Sequence, residues 1–250
     1  VPETDRMEPS DPGQPIFLSV LARKFLNGDH SLASENTTTT SVTTVGPVNV
    51  TTGNGIFALT TGGNVTVNAG DVTSTGNTAI IAQQTKVAGA GNVDVTAGNV
   101  SGTAGINAHN FGSGATSVTA NGTVNATSGI GIGIAAAGNG NVTVIAHDVT
   151  AGSNGIQANG GSGSGAVSVT ADNVSGSTGI IATNNDSFGS VSVTTHGTVT
   201  GTTAEGIFAV GNGNVTVMVD DTVTGATRGM TLIGAGPSIS VTGTGGFVGG

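Results

Sequence analysis

Residues 141–182 decide the fold, and they read NVTVIAHDVTAGSNGIQANGGSGSGAVSVTADNVSGSTGIIA. Val142 and Val144 form a Val-x-Val doublet, and the same doublet returns 25 residues later. A single Val follows each doublet, and a Gly-Ile pair follows the single Val, first at Gly155-Ile156. A pattern that recurs after about two dozen residues is typical of a chain that stacks one structural unit on the next.

The repeat extends over most of the chain. Counted by its second member, the doublet or a variant of it stands at residues 50, 67, 95, 118, 144, 169, 193, 217 and 241. The single Val stands at 72, 100, 124, 149, 174, 199 and 223. Gly-Ile-x-Ala begins at 55, 105, 155, 179 and 206, with looser versions in the other repeats. Each repeat therefore offers three short β-branched segments with period-2 alternation, which predict three strands.

One such repeat cannot bury its apolar side, because three strands of a few residues enclose too few side chains. Stacked repeats share one interior, in which each strand pairs in parallel with its counterpart and Val falls on Val. The sequence thus predicts an all-β fold: a right-handed, single-stranded parallel β-helix (β-solenoid) with about 24 residues per coil and three short strands per coil. A β-sandwich also uses many short strands, but it predicts no period of three segments.

The two ends differ from the repeats. Residues 1–45 are interpreted as an N-terminal leader or cap, and residues 46–250 as the solenoid, with further repeats expected beyond it. From Gln14 to Asn27 the apolar residues fall on one face of a helix, and Pro15 suits a first helical position. A short amphipathic helix is expected there, since a solenoid needs a cover for its open edge.

The composition excludes several functions. The net charge is -9 with five basic residues, which argues against a nucleic-acid partner. The chain has no Cys, so it holds neither disulfides nor thiolate metal sites. No apolar run is long enough to predict a transmembrane helix. The sequence predicts no cofactor, no metal ligand and no catalytic residue, and hence no enzyme.

Two columns of polar residues are candidate sites. Asp71, Asn99, Asp148 and Asn173 each precede the single Val of their repeat. A column of this kind either binds Ca²⁺, which takes six to eight oxygen ligands, or forms hydrogen bonds along the stack, and the second interpretation is favoured. His147 and His196 occupy one corner, but they are two coils and about 10 Å apart, too far to share a metal.

Two alternative functions start from surface residues. Arg228 and the Asp220-Asp221 pair suggest a polysaccharide-active β-helix, although no ordered carboxylate cluster accompanies them. The outward residues of the doublet segments form hydroxyl columns that are similar to the Thr-x-Thr ladders of ice-binding or matrix-binding solenoids. Ile145 and Met218 interrupt those columns, so strand propensity on a solvated face is the simpler explanation.

Outward apolar residues form a candidate contact surface. Some stand at the outward position of Gly-Ile-x-Ala, in neighbouring coils, and others in the third corner, which joins the Gly-Ile segment to the next doublet and varies most in length. Exposed apolar groups and loops on one side of a repeat array are places where partners bind. The predicted surface consists of Phe57, Ile81, Phe111, Ile181, Phe188 and Phe208.

The repeats at 64–72 (NVTVNAGDV) and 141–149 (NVTVIAHDV) resemble the passenger region of bacterial autotransporters (type V secretion). The resemblance covers roughly Val48 to Gly250 and is one of composition and rhythm. It implies a secreted or surface-displayed β-helix, anchored at the bacterial outer membrane by a C-terminal β-barrel of the parent protein. A structural stalk or adhesin, with host or cell-surface molecules as partners, is the function that such membership implies.

Overall fold

The computed structural model describes residues 18–22, 32–36, 39–163 and 165–250. The described chain is all β and winds through three parallel sheets, which stack as a β-solenoid of about nine turns with about 24 residues per coil. Neighbouring strands within a sheet come from consecutive coils, so they are a full repeat apart in sequence. The predicted solenoid with three short strands per coil is confirmed.

The ten-stranded sheet carries the doublets and is called the Val-x-Val sheet. Its strands are Leu18–Ala22, Thr40–Thr44, Val65–Asn68, Val93–Ala97, Thr116–Ala120, Val142–Ala146, Val167–Ala171, Val191–Thr195, Val215–Val219 and Ile239–Thr242.

Two nine-stranded sheets complete the coils. The single-Val sheet consists of Val48–Val50, Val72–Ser74, Val100–Gly102, Val124–Ala126, Val149–Ala151, Val174–Gly176, Val199–Gly201, Val223–Gly225 and Phe247–Gly249. The Gly-Ile sheet consists of Leu32–Asn36, Ile56–Thr60, Ile80–Gln84, Ile106–Asn110, Ile134–Gly138, Ile156–Gly160, Ile180–Asn184, Ile207–Gly211 and Met230–Gly234.

Three corners join these strands. The first corner leads from a Val-x-Val strand to the single-Val strand, the second from there to the Gly-Ile strand, and the third back to the next Val-x-Val strand. Inward residues meet their equivalents across coils: Val144 pairs with Val169, and Ile134 with Ile156. The stacked columns of Val, Ile and Ala form the hydrophobic core. Burial of each Val or Ile side chain contributes about 1.5–3 kcal/mol to the stability of the fold.

The first doublet of the sequence belongs to a different sheet from the others. Val48–Val50 pairs with Val72–Ser74 in the single-Val sheet. Its coil enters the Val-x-Val sheet through Thr40–Thr44 instead, where Val42 pairs with Val67. Val50 and Val67, which are 17 residues apart in the series of doublets, therefore belong to two different sheets. The equivalent residues of the Val-x-Val sheet, Val42 and Val67, are 25 residues apart.

The expected N-terminal helix is wrong where the structure describes it. Leu18–Ala22 is a strand in register with Thr40–Thr44, and Leu32–Asn36 pairs with Ile56–Thr60. The reason is that an open sheet edge presents unpaired N–H and C=O groups, and a strand satisfies them while a helix cannot. The sheets consequently begin before residue 46, and the rest of the expected helix lies outside the described residues. The described ranges hold no helix long and apolar enough to cross a membrane.

The glycines before each Ile allow close packing at the second corner and do not have a left-handed backbone. Among the described glycines, only Gly53 and Gly243 have a positive φ. A Cβ on Gly155 would overlap the Val174 side chain and the carbonyl of Gly179 in the next coil. Glycine is needed there because backbone packs directly on backbone at the second corner.

Candidate functional site

The outward residues of the Gly-Ile sheet form two apolar pairs. Phe57 lies beside Ile81, and Ile181 lies beside Phe208, as the repeat register predicts. All four side chains are partly exposed. The coils between the pairs carry less apolar residues at this position, such as Asn107. The structure thus brings the predicted residues together as two separate patches.

The third corner is anchored by amide side chains whose structural role was not predicted from the sequence. Gln84, Asn110 and Asn184 end their Gly-Ile strands and are buried. The Asn184 amide nitrogen donates to the carbonyls of Gly165 and Ser190, at 2.6 and 3.3 Å. The sequence offers a partial signal: these amides precede third corners of five to eight residues, but Gly160 precedes one of six residues, which Asn184 contacts at Gly165.

The two phenylalanines of the third corner differ in environment. The Phe111 ring stacks on the ring of His109, with centroids 3.9 Å apart, and 39% of Phe111 is exposed. Burial lowers the pKa of His109. Phe188 is 87% exposed, three coils further along the stack. The structure therefore does not unite Phe111 and Phe188 in one surface, and the Phe188 ring is the more exposed of the two.

Phe188 borders an open groove of about 710 Å³. Three consecutive third corners line it, with Asn212, Asn214 and Pro237 among the lining residues. This volume lies within the usual range for small-molecule sites, about 300–1,000 Å³. The groove is open to solvent on one side, and it was not apparent from the sequence because it depends on how far each third corner projects.

The first corner carries the predicted hydrogen-bonded ladder. Asn99 donates its amide to Asp71 at 3.1 Å and accepts from the backbone of Thr123 at 3.0 Å. Asn173 donates to Asp148 at 2.8 Å in the same way. These contacts run along the stack from one coil to the next, so the side chains hold adjacent corners together, as the favoured interpretation expects.

A second column of the first corner contains two His–Asp contacts that were not predicted from the sequence. The Nδ1 of His147 lies 2.7 Å from Asp172, and that of His196 lies 2.9 Å from Asp220. All four side chains are largely solvated, so each contact contributes about 0–1 kcal/mol. The sequence contained a signal for these contacts, because each of the four residues directly follows a Val-x-Val strand. No group of three or more His, Asp or Glu able to hold a metal occurs among the described residues.

Arg228, which suggested a polysaccharide-active enzyme, has a local partner. It lies 3.5 Å from Glu205 of the preceding coil, at the second corner. The Asp220 carboxylate contacts His196 at the first corner. The structure therefore places Arg228 and Asp220 at different corners.

The hydroxyl columns on the Val-x-Val sheet are in register. Ser168 pairs with Ser192, and Thr170 pairs with Thr194. Ile145 and Met218 stand in the second column, as the sequence indicates. Asp94 stands in the first column, and burial raises its pKa. The face is a regular polar array with apolar and acidic interruptions.

Comparison of the chain with protein-family models, with curated proteins and with solved structures gave no match.

Proposed function

We propose that this chain is a non-enzymatic, cell-surface or secreted β-helical rod that acts as a structural stalk or adhesin. The observation that carries the proposal is the uninterrupted, in-register stack of three sheets over one solid core. Interiors packed in this way have low compressibility and transmit strain. Such a rod holds its corners at fixed positions along one axis.

The distribution of polar groups supports a presenting role. Asp148, Asp172 and Glu205 each contact a side chain of an adjacent coil, so these carboxylates contribute to stacking. The variable third corners lie on one edge of the solenoid, and loops on one side of a repeat array commonly bind partners. The proposed partners are host or cell-surface molecules.

The autotransporter passenger is the specific form of this proposal. It places the rod outside a Gram-negative cell, carried by a C-terminal outer-membrane β-barrel of the parent protein. The support is the repeat rhythm at 64–72 and 141–149 together with the solenoid built from it.

Surface exposure on the native cell tests the proposal. An antibody raised against the purified chain is applied to intact and to permeabilised cells of the organism that encodes it, with and without external protease. The expected result is labelling of intact cells that protease treatment removes. A cytoplasmic protein serves as the control for cell integrity. Labelling that requires permeabilisation would refute the proposal.

A second candidate is binding of ice or of an ordered matrix, and the registered hydroxyl columns favour it. Thermal hysteresis and ice-crystal shaping by the purified chain test this role. The variant Ile145→Thr fills one interruption of the second column and should increase any such activity. Absence of hysteresis in the parent and in this variant would exclude ice binding.

A further inference from the structure

The third corner at 185–190 is held in one conformation. The Asn184 amide nitrogen donates to the Gly165 and Ser190 carbonyls, and its oxygen accepts from the backbone of Asp186 at 3.1 Å. The next third corner also holds it, because Asn212 donates to the Asp186 carbonyl at 3.0 Å. Phe188 is therefore presented by a braced loop, which lowers the entropy cost of binding through its ring.

The groove beside Phe188 is neutral and offers hydrogen-bonding groups. Among the described residues that line it, none carries a charge. The Asn214 side-chain amide makes no hydrogen bond to another described residue, so both its donors and its acceptor are available. Gly213 packs tightly on the preceding corner, since a Cβ there would overlap the backbone of Phe188. Two of the lining corners are thus in direct backbone contact beside Phe188.

We infer that this groove binds a neutral oligosaccharide, with the Phe188 ring stacked on the apolar face of a pyranose. The inference rests on the proposed presenting role of the third corners and specifies its ligand class. Asn212, Asn214 and Ser190 line the same groove and supply amide and hydroxyl groups for sugar hydroxyls. Binding sites of this type combine an aromatic surface with a few placed polar groups.

The groove chemistry distinguishes this ligand from other classes. An anionic polysaccharide or a phosphate needs cationic partners, and the lining supplies none among the described residues. An apolar peptide segment needs a continuous hydrophobic surface to bury, whereas Asn and Ser side chains share this lining with Phe188, Ala235 and Pro237. A chain of neutral sugars matches one aromatic ring, planar amides and an open-sided groove.

Saturation-transfer NMR and calorimetry with purified chain test the inference. The panel contains neutral hexasaccharides of glucose, xylose, mannose and N-acetylglucosamine, an oligogalacturonate, and a pool of neutral decapeptides, each at up to about 10 mM. We expect one or more neutral hexasaccharides to bind, with saturation of sugar ring protons. The variant Phe188→Ala should raise the Kd at least about tenfold, and Phe188→Tyr should retain binding.

Ile130→Ala is the matched control, because Ile130 is also 87% exposed but lies at the second corner. It should leave the Kd unchanged. Circular dichroism of each variant verifies the fold. Absence of neutral-sugar binding, equal binding by Phe188→Ala, or binding of the decapeptides or oligogalacturonate alone would overturn the inference. The surface-labelling result is independent of these outcomes, so a failure of sugar binding would not contradict the proposal of an extracellular rod.

Discussion

The first and third corners of the solenoid flank the same Val-x-Val sheet, but they are built differently. The first corner varies from two residues (98–99) to four (243–246), and exposed side chains link it from coil to coil. The third corner varies from three residues (212–214) to eight (85–92), and buried amides brace its longer forms. A corner of nearly constant length can stack side chain on side chain, whereas the variable one also uses buried amides such as Asn184, which hold the corner of their own coil and that of the preceding coil.

Removing an anchor of the third corner should have the largest effect. Asn184→Ala leaves the Gly165 and Ser190 carbonyls without their donor, and burial of an unsatisfied polar group costs about 1–3 kcal/mol. We expect about 3 kcal/mol less free energy of unfolding, measured by urea denaturation. The matched control is Asn173→Ala, in which water replaces an exposed amide, and it should cost less than about 1 kcal/mol. Equal losses for both variants would remove the distinction between the corners.

Two glycines test the same distinction by adding a methyl group instead of removing a polar side chain. A Cβ on Gly189, in the third corner, would overlap the Asn184 side chain. Gly189→Ala should therefore cost about 1–3 kcal/mol of unfolding free energy through overpacking. In the first corner, a Cβ on Gly46 would meet no atom within 4 Å, so Gly46→Ala should be neutral or stabilising by about 0.4–1 kcal/mol. Thermal unfolding compares them, and a stable Gly189→Ala would contradict the tight packing.

The residues that face the core could be predicted from the sequence, because alternation within a strand depends only on neighbouring residues. Alternation places Val144 inward, and repetition then places it beside Val169. The sheet of Val48–Val50 could not be assigned this way, because a three-residue Val-x-Val segment fits either the Val-x-Val sheet or the single-Val sheet. The choice depends on Thr40–Thr44, which occupies the position in the Val-x-Val sheet. The strand at Leu18–Ala22 likewise depends on a partner that is distant in sequence.

The candidate site was predictable to the extent that it follows the register. Phe57 and Ile81 are adjacent because equivalent positions stack. Asn184 reads as an ordinary turn residue, because its burial depends on the path of the loop it anchors. The exposure of Phe188 has the same origin, whereas Phe111 is covered by the chance presence of His109 two residues earlier.

A smaller gain in stability is expected where a Val-x-Val strand enters the first corner. Thr195 is fully buried, and its hydroxyl has no hydrogen-bond partner among the described residues. The next coil has Val219 at this position. Thr195→Val keeps the side-chain shape and removes the unsatisfied group, so it should raise the free energy of unfolding by about 1 kcal/mol. Thr170→Val, on the outward face, is the control and should change stability by less than about 0.5 kcal/mol. A destabilised Thr195→Val would indicate a partner for the hydroxyl.

The smallest effect concerns the histidine that supports a third corner. Burial lowers the pKa of His109 in the folded chain, so the folded state binds fewer protons there than the unfolded chain, whose imidazole has a pKa of about 6.5. Its contribution to stability is complete above about pH 6.5 and is lost as the pH falls through the lowered folded pKa. Gln83 occupies this position one coil earlier, which makes His109→Gln a conservative variant.

Urea denaturation of parent and His109→Gln between pH 8 and pH 5 measures that contribution. The variant should lose less stability on acidification, by about a few tenths of a kcal/mol, because the half-exposed ring is screened by solvent. The first-corner histidines remain in both proteins, so their effect cancels in the difference. A steeper loss in the variant would mean that protonated His109 is stabilised in the folded chain, and that its contact with Phe111 favours the cation over burial of the neutral ring.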